Sequence, residues 1–371
     1  MGVVRWTFDT AHANADVYYY ATGALVLSGT PRTAAEVQAA TFAFDMIHPG
    51  RTGTYRPDRL TISSDPRYTG IFRARPLYPA IASAFAPALG LTSLIGVAFL
   101  TGIIAVLVVA WTVRAATGSD LAGAVAAAAL LVSPAGRYLF WVLADGTMLA
   151  FLAICLAASS WYLRTGAKVA LVAVVAGLVT TGATKIGNLD AVALGLLAVG
   201  VGGVVIGAAW RTRGIRLALV SGGILIAANV SSAAIGLPSA MDQIQDLLTA
   251  HFRKPDSANP IIDLLRMDLH FFPGLGRFVL GIAPLVAIGA TIVAAATLVK
   301  KRSEAWVWPW VASAAASGLL IAIHPVRSEL DRLVAPLWLS VAIGIGLGAD
   351  IVARERRGRT HPMDDPVAIG Q

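Results

Sequence analysis

The stretch TSLIGVAFLTGIIAVLVVAWTVR, residues 92–114, runs from Thr92 to Val113 without one charged side chain and closes on Arg114. An α-helix needs about 20 mostly apolar residues to cross the hydrocarbon core of a bilayer, so this segment reads as a membrane span. Eight further stretches share its character: roughly 119 to 135, 144 to 163, 167 to 184, 188 to 209, 215 to 236, 274 to 299, 305 to 323 and 333 to 353. Alanine, glycine, valine and leucine dominate them, and small residues let helices pack closely in lipid. The whole chain agrees with this reading. Of its 371 residues 57% are apolar and 13% charged, with a mean hydropathy of +0.71. A soluble domain carries about 25% charge, so this chain lacks the polar residues to coat a water-facing surface. The expected fold is all-α, a polytopic helical membrane protein of nine spans.

The short connections orient it. Alternate turns carry Arg114; Arg164 and Lys168; Arg211, Arg213 and Arg216; Lys300, Lys301 and Arg302; and Arg354, Arg356, Arg357 and Arg359. The opposite short turns hold only Arg137, Lys185, Arg327 and Arg332. The positive-inside rule puts the first set in the cytoplasm. The chain then divides into an extracytoplasmic loop (1–78), six spans (79–236), an outer amphipathic segment (237–272), three spans (273–353) and a cytoplasmic basic tail (354–371). The expected location is the plasma membrane. An odd span count leaves the N-terminus outside, yet MGVVRWTFDT is neither a signal peptide nor a membrane helix. A further span is therefore expected ahead of the sequence as written. The net charge of +8 falls almost wholly on the inner turns, so it is an orientation signal, and nucleic acid drops out as a partner. The single cysteine, Cys155, lies in an apolar run and permits no intramolecular disulfide.

The long segments should lie outside, and any chemistry with them. Residues 1–78 hold turn signals at Pro31, Pro49, Pro57, Pro66 and Pro76, two short amphipathic stretches near 15 to 28 and 33 to 47, and enough aromatics to fold rather than trail as a linker. Those aromatics equally suit an interfacial belt. In 237–272, Met241, Ile244, Leu247 and Leu248 share one helical face and Ile261, Leu264, Leu265 and Leu269 another, on either side of KPDSANP. Such helices lie in the headgroup plane or form a lid over a lipid cleft.

Several polar residues stand where this outer edge should be. Asp9 and Asp16 fall in the first outer segment, and Asp16 opens DVYYY. Aromatics that desolvate a carboxylate raise its pKa toward that of a general base; a turn or cap is the plainer role. In FRARPLYP, residues 72–79, Arg73 and Arg75 stand two apart, on one face if the segment is extended. Two guanidiniums so placed could clamp a phosphate or snorkel to headgroups. Asp145 opens the third span, Lys185 closes the fourth just before Asn188 and Asp190, and HPVRSELDR packs His324, Arg327, Glu329, Asp331 and Arg332 into one turn. Helix N-capping is the plain reading of Asp145 and Asp190. Convergence of these groups on one cavity would instead make an anion site, because charges are costly inside lipid.

An acidic residue followed by tyrosines, an outer segment of about 60 residues ending in Arg75–Pro76–Leu77–Tyr78–Pro79, the TGATK run that closes on Lys185, and Arg327 to Pro336 leading into the last span together resemble the GT-C superfamily of membrane glycosyltransferases. The resemblance implies transfer of a hexose or pentose, with inversion, from a polyprenyl-phosphate carrier to a glycan, lipid or protein acceptor at the outer face. It also implies membrane lipid as the surrounding partner. By position Asp16 becomes the general base and Asp9 the second choice, because the paired acidic form of the motif is absent. Tyr19, Arg73, Arg75, Lys185, Arg327 and Arg332 become substrate-binding candidates, of which Arg75, Lys185 and Arg332 would meet the departing phosphate. Some members use a divalent metal, but His12, His48 and His324 are scattered here, so no cofactor is expected. Two rival classes stay open: a secondary transporter, although no internal repeat is visible, and a non-catalytic partner in cell-envelope assembly.

Overall fold

A computed structural model describes residues 15–49, 63, 65–278, 282–302, 304–326 and 330–360, and every regular element among them is helical. Four helices precede the bundle: α1 (Asp16–Leu27), α2 (Arg32–Ile47), α3 (Pro66–Arg73) and α4 (Leu77–Leu89). Then come α5 (Thr92–Thr117), α6 (Asp120–Val132), α7 (Pro134–Tyr138), α8 (Ala144–Thr165), α9 (Lys168–Thr184), α10 (Ile186–Val205) and α11 (Arg211–Ala234). A hairpin of α12 (Ala240–Leu248) and α13 (Pro260–Phe278) follows. The chain closes with α14 (Ile282–Lys300), a 3-10 turn (Ala305–Val307), α15 (Trp308–Ile323), α16 (Leu330–Leu333) and α17 (Ala335–Thr360).

Among the described residues six segments are long and apolar enough to cross a membrane: α5, α8, α10, α11, residues 305–323 and residues 335–356. The other three expected spans are helical but differ in extent. α6 stops after 13 residues because Ser133 turns extended ahead of Pro134, and at 1.5 Å per residue it reaches about 20 Å of the roughly 30 Å core. α9 has 17 residues and ends where Lys185 turns extended. The stretch expected at 274 to 299 is divided: its first residues belong to α13, which continues through Pro273 to Phe278, and α14 begins at Ile282. The boundary expected at residue 272 therefore falls inside a helix. The stretches expected near 15 to 28 and 33 to 47 are helical, as α1 and α2, but without a marked apolar face, whereas the pair in 237–272 appears as the amphipathic α12 and α13.

Burial ranks the helices. In α8, 83% of the apolar window is buried, against 17% in α11, so α8 is the central post and α11 the periphery. A second core joins the N-terminal helices to one end of the bundle. In it Ala35, Ala39 and Ala43 of α2 meet Val17, Ala21 and Ala24 of α1, and Tyr78, Leu94 and Leu143 complete the contact. Two glycines seat the approach to α8. A Cβ at Gly102 or at Gly146 would stand 2.5 Å from the Leu139 carbonyl oxygen, so no side chain fits at either position without moving the backbone that leads to Asp145.

The α12–α13 hairpin is fastened to α3. Asp65 caps α3 by accepting from the Arg67 amide at 2.8 Å. The Arg67 guanidinium also pairs with Asp256 at 2.7 Å and lies 4.1 Å above the Phe252 ring. Within the connecting turn Ala250, His251 and Phe252 all take the left-handed conformation, with φ of 52°, 65° and 58°, a run that costs roughly 1–2 kcal/mol per residue. Side-chain contacts hold it: His251 packs edge-on to Tyr68, and its Nδ1 lies 3.2 Å from Asp246.

Candidate functional site

Asp145 is the only charged residue between Arg137 and Arg164, and it is completely buried in the first turn of α8. An isolated carboxylate there would be very costly, so its partners decide what it is for. Its Oδ1 accepts from Lys185 Nζ at 2.5 Å and its Oδ2 from Arg332 Nε at 2.9 Å. A second N–H of Arg332, through Nη2, donates to Asp16 Oδ2 at 2.7 Å. One guanidinium thus joins the first turn of α1 to the first turn of α8.

Each partner is delivered by a break in a helix. Lys185 is extended, with φ −157° and ψ 103°, between the end of α9 and the start of α10, which turns its long side chain inward to Asp145. Arg332 sits on the single turn α16, just before α17. Arg75 follows the end of α3 and donates to the Tyr20 hydroxyl at 3.2 Å. Tyr20 is 1% exposed, and burial above all raises its pKa, which keeps the phenol protonated. Burial, and then the Arg332 guanidinium, pull the Lys185 ammonium below the ordinary lysine range to about 8, against the opposing pull of Asp145. Among the described residues five charged groups gather here from five parts of the chain, three cations and two carboxylates.

Four candidates, Asp16, Arg75, Lys185 and Arg332, therefore come together. Asp16 does not cap its helix, and its near neighbour is the Arg332 guanidinium rather than aromatics alone. Arg73 and Arg75 are separated: α3 extends to Arg73 and leaves it exposed, while Arg75 turns inward, so they share no extended face. Tyr19 stacks on Phe72, with ring centroids 4.0 Å apart and planes 9° apart, next to the cluster. Asp9, His12 and Arg327 lie outside the described residues. His48 ends α2 and His324 ends α15; among the described residues no three His, Cys, Asp or Glu side chains stand together as a metal site.

Asp145 and Tyr20 are the members that the sequence reading did not select. Capping accounted for Asp145 locally, yet its side chain makes no cap bond. A lone charge in an otherwise apolar segment was the available signal. Asp190 is not a cap either: it accepts from Asn229 Nδ2 of α11 at 3.0 Å. No family model, curated protein or solved structure matches the chain.

Proposed function

We propose that this chain is a GT-C-type membrane glycosyltransferase that moves a sugar from a polyprenyl-phosphate carrier to an acceptor at the outer face, inverting the anomeric centre. The observation that carries the reading is the gathering of Asp16, Asp145, Lys185, Arg332 and Arg75 at one end of an apolar bundle, where the described cations outnumber the described carboxylates. A lipid phosphate needs that sign of charge, next to bilayer that can take its tail. The basic turns around Arg114, Arg164, Arg213 and Arg354 occupy the opposite end: Arg213 donates to the Leu163 carbonyl and Arg354 to that of Thr117. By the positive-inside rule that end is cytoplasmic and the cluster is outside, an arrangement in which α6, α9 and α14 are counted with the six longer segments as the nine expected spans.

In the reaction, the acceptor hydroxyl forms a bond to the anomeric carbon as its proton passes to the Asp16 carboxylate. The bond from that carbon to the carrier phosphate oxygen breaks, and its electron pair leaves with the phosphate. The transition state has oxocarbenium character, as in glycoside hydrolysis. Lys185 and Arg332 meet the growing negative charge. Because Asp145 already holds both, little reorganisation is left for the moment of transfer.

Membranes containing the protein, supplied with a radiolabelled polyprenyl-phosphate sugar and extracted acceptor, should yield labelled product of inverted configuration. Asp16→Asn should lower turnover by about 10²–10⁴-fold while the protein still elutes as a folded monodisperse species. Full turnover in both Asp16→Asn and Asp9→Asn would remove the proposed base.

A further inference from the structure

Beside the charge cluster, and separated from it by Tyr20, a cavity of about 340 Å³ opens between α1, the start of α2, α3 and α4. Its size falls in the range of small-ligand cavities, about 300–1,000 Å³. The walls are mostly apolar: the stacked pair of Tyr19 and Phe72, and the rings of Pro76 and Pro79. On its open side Val26 and Leu27 are 42% and 57% exposed, so the lining runs out onto an apolar surface.

The polar groups narrow the ligand. The Thr22 hydroxyl donates to the Tyr18 carbonyl at 2.8 Å and the Thr69 hydroxyl to that of Pro66 at 2.9 Å. Both hydroxyl protons are thus used within their own helices, which leaves the tyrosines and the charged side chains as the polar part of the lining. The lining charges are Arg32, Glu36 and Arg73. Arg32 and Glu36 neutralise each other at 2.9 Å, which leaves the exposed Arg73 as the surplus charge. A guanidinium at the mouth of a hydrocarbon-lined cavity suits an amphiphile with an anionic head, and phosphate is the head that its planar fork binds bidentately.

We infer that this cavity binds an anionic phosphate lipid, with one hydrocarbon chain among α1, α3 and α4 and the phosphate on Arg73. The inference goes beyond the proposed transfer and needs no turnover. Its ligand is a bilayer phospholipid, distinct from the polyprenyl phosphate that the proposed transfer releases.

The test uses the full chain in phosphatidylcholine vesicles doped with phosphatidylglycerol that carries a diazirine at its acyl terminus. After irradiation, labelled peptides are mapped by mass spectrometry. The label should fall on α1 and α4, and Arg73→Glu should reduce it about tenfold, in line with loss of a charge-assisted contact and gain of repulsion. Val26→Trp, which places an indole at the open side, should reduce it too. Labelling should be indifferent to unlabelled polyprenyl phosphate at trace level, and competition by it would make the cavity part of the proposed carrier site and overturn the inference. Equal labelling by a phosphatidylcholine probe, or labelling unchanged in Arg73→Glu, would overturn the inference. Arg73 is exposed, so its variant should fold, and gel filtration confirms that independently.

Discussion

Asp145 shows how little of a buried charge's role is written in its local sequence. An acid in the first turn of a helix is accounted for by the helix dipole alone, and nothing near position 145 announces partners that lie 40 and 187 residues further along. Lys185 and Arg332 were legible because each interrupts an apolar run at the predicted outer edge, where a charge needs a reason. Lys185 also carries a pH signature. Its ammonium loses the proton as pH rises through about 8, so if that charge meets the carrier phosphate, kcat/KM should fall through an alkaline limb near pH 8. Lys185→Arg keeps the charge at all accessible pH values. A pH–rate profile of that variant should lose the alkaline limb whatever its absolute rate; a limb unchanged in Lys185→Arg would assign it to another group.

Among the elements, helix identity was readable and helix length was not. Apolar composition fixes that residues 119 to 135 and 167 to 184 are helical, but a single Ser-Pro step and a single extended lysine set where they stop. Arg73 and Arg75 parted for the same kind of reason: α3 continues one turn further than an extended reading of the segment allows. The left-handed turn at 250–252 had no signal at all, because none of its residues is a glycine and its hold comes from Arg67, Tyr68 and Asp246. Relieving it at its first residue should therefore help. Ala250→Gly removes a Cβ penalty at φ 52° and should raise the thermal midpoint in detergent, by up to about 1 kcal/mol of stability. A lowered midpoint would mean that the turn is not strained at that residue.

At the scale of the whole molecule, hydropathy gave the helical class and charge gives an expected orientation, while the meeting of distant segments emerged only in three dimensions. The orientation is open to a direct test. Cys155 is the sole cysteine and is buried, so single cysteines placed at Lys168 and at Ser239 should report cleanly against a low background. In intact cells an impermeant maleimide should label Ser239→Cys and spare Lys168→Cys until the membrane is opened; the reverse pattern would turn the protein upside down. The Arg332 bridge bears on biogenesis as well. Asp16 finds the Arg332 guanidinium 316 residues downstream, so while the chain is being made the ion bridge between α1 and α8 lacks its centre, and Asp145 pairs first with Lys185. The N-terminal helices can collapse on one another early, but their docking through Asp16 must wait for the segment that carries Arg332. A ribosome stalled before Arg332 would thus leave the bridge between α1 and α8 unmade, and formation of that bridge reports that synthesis has passed Arg332.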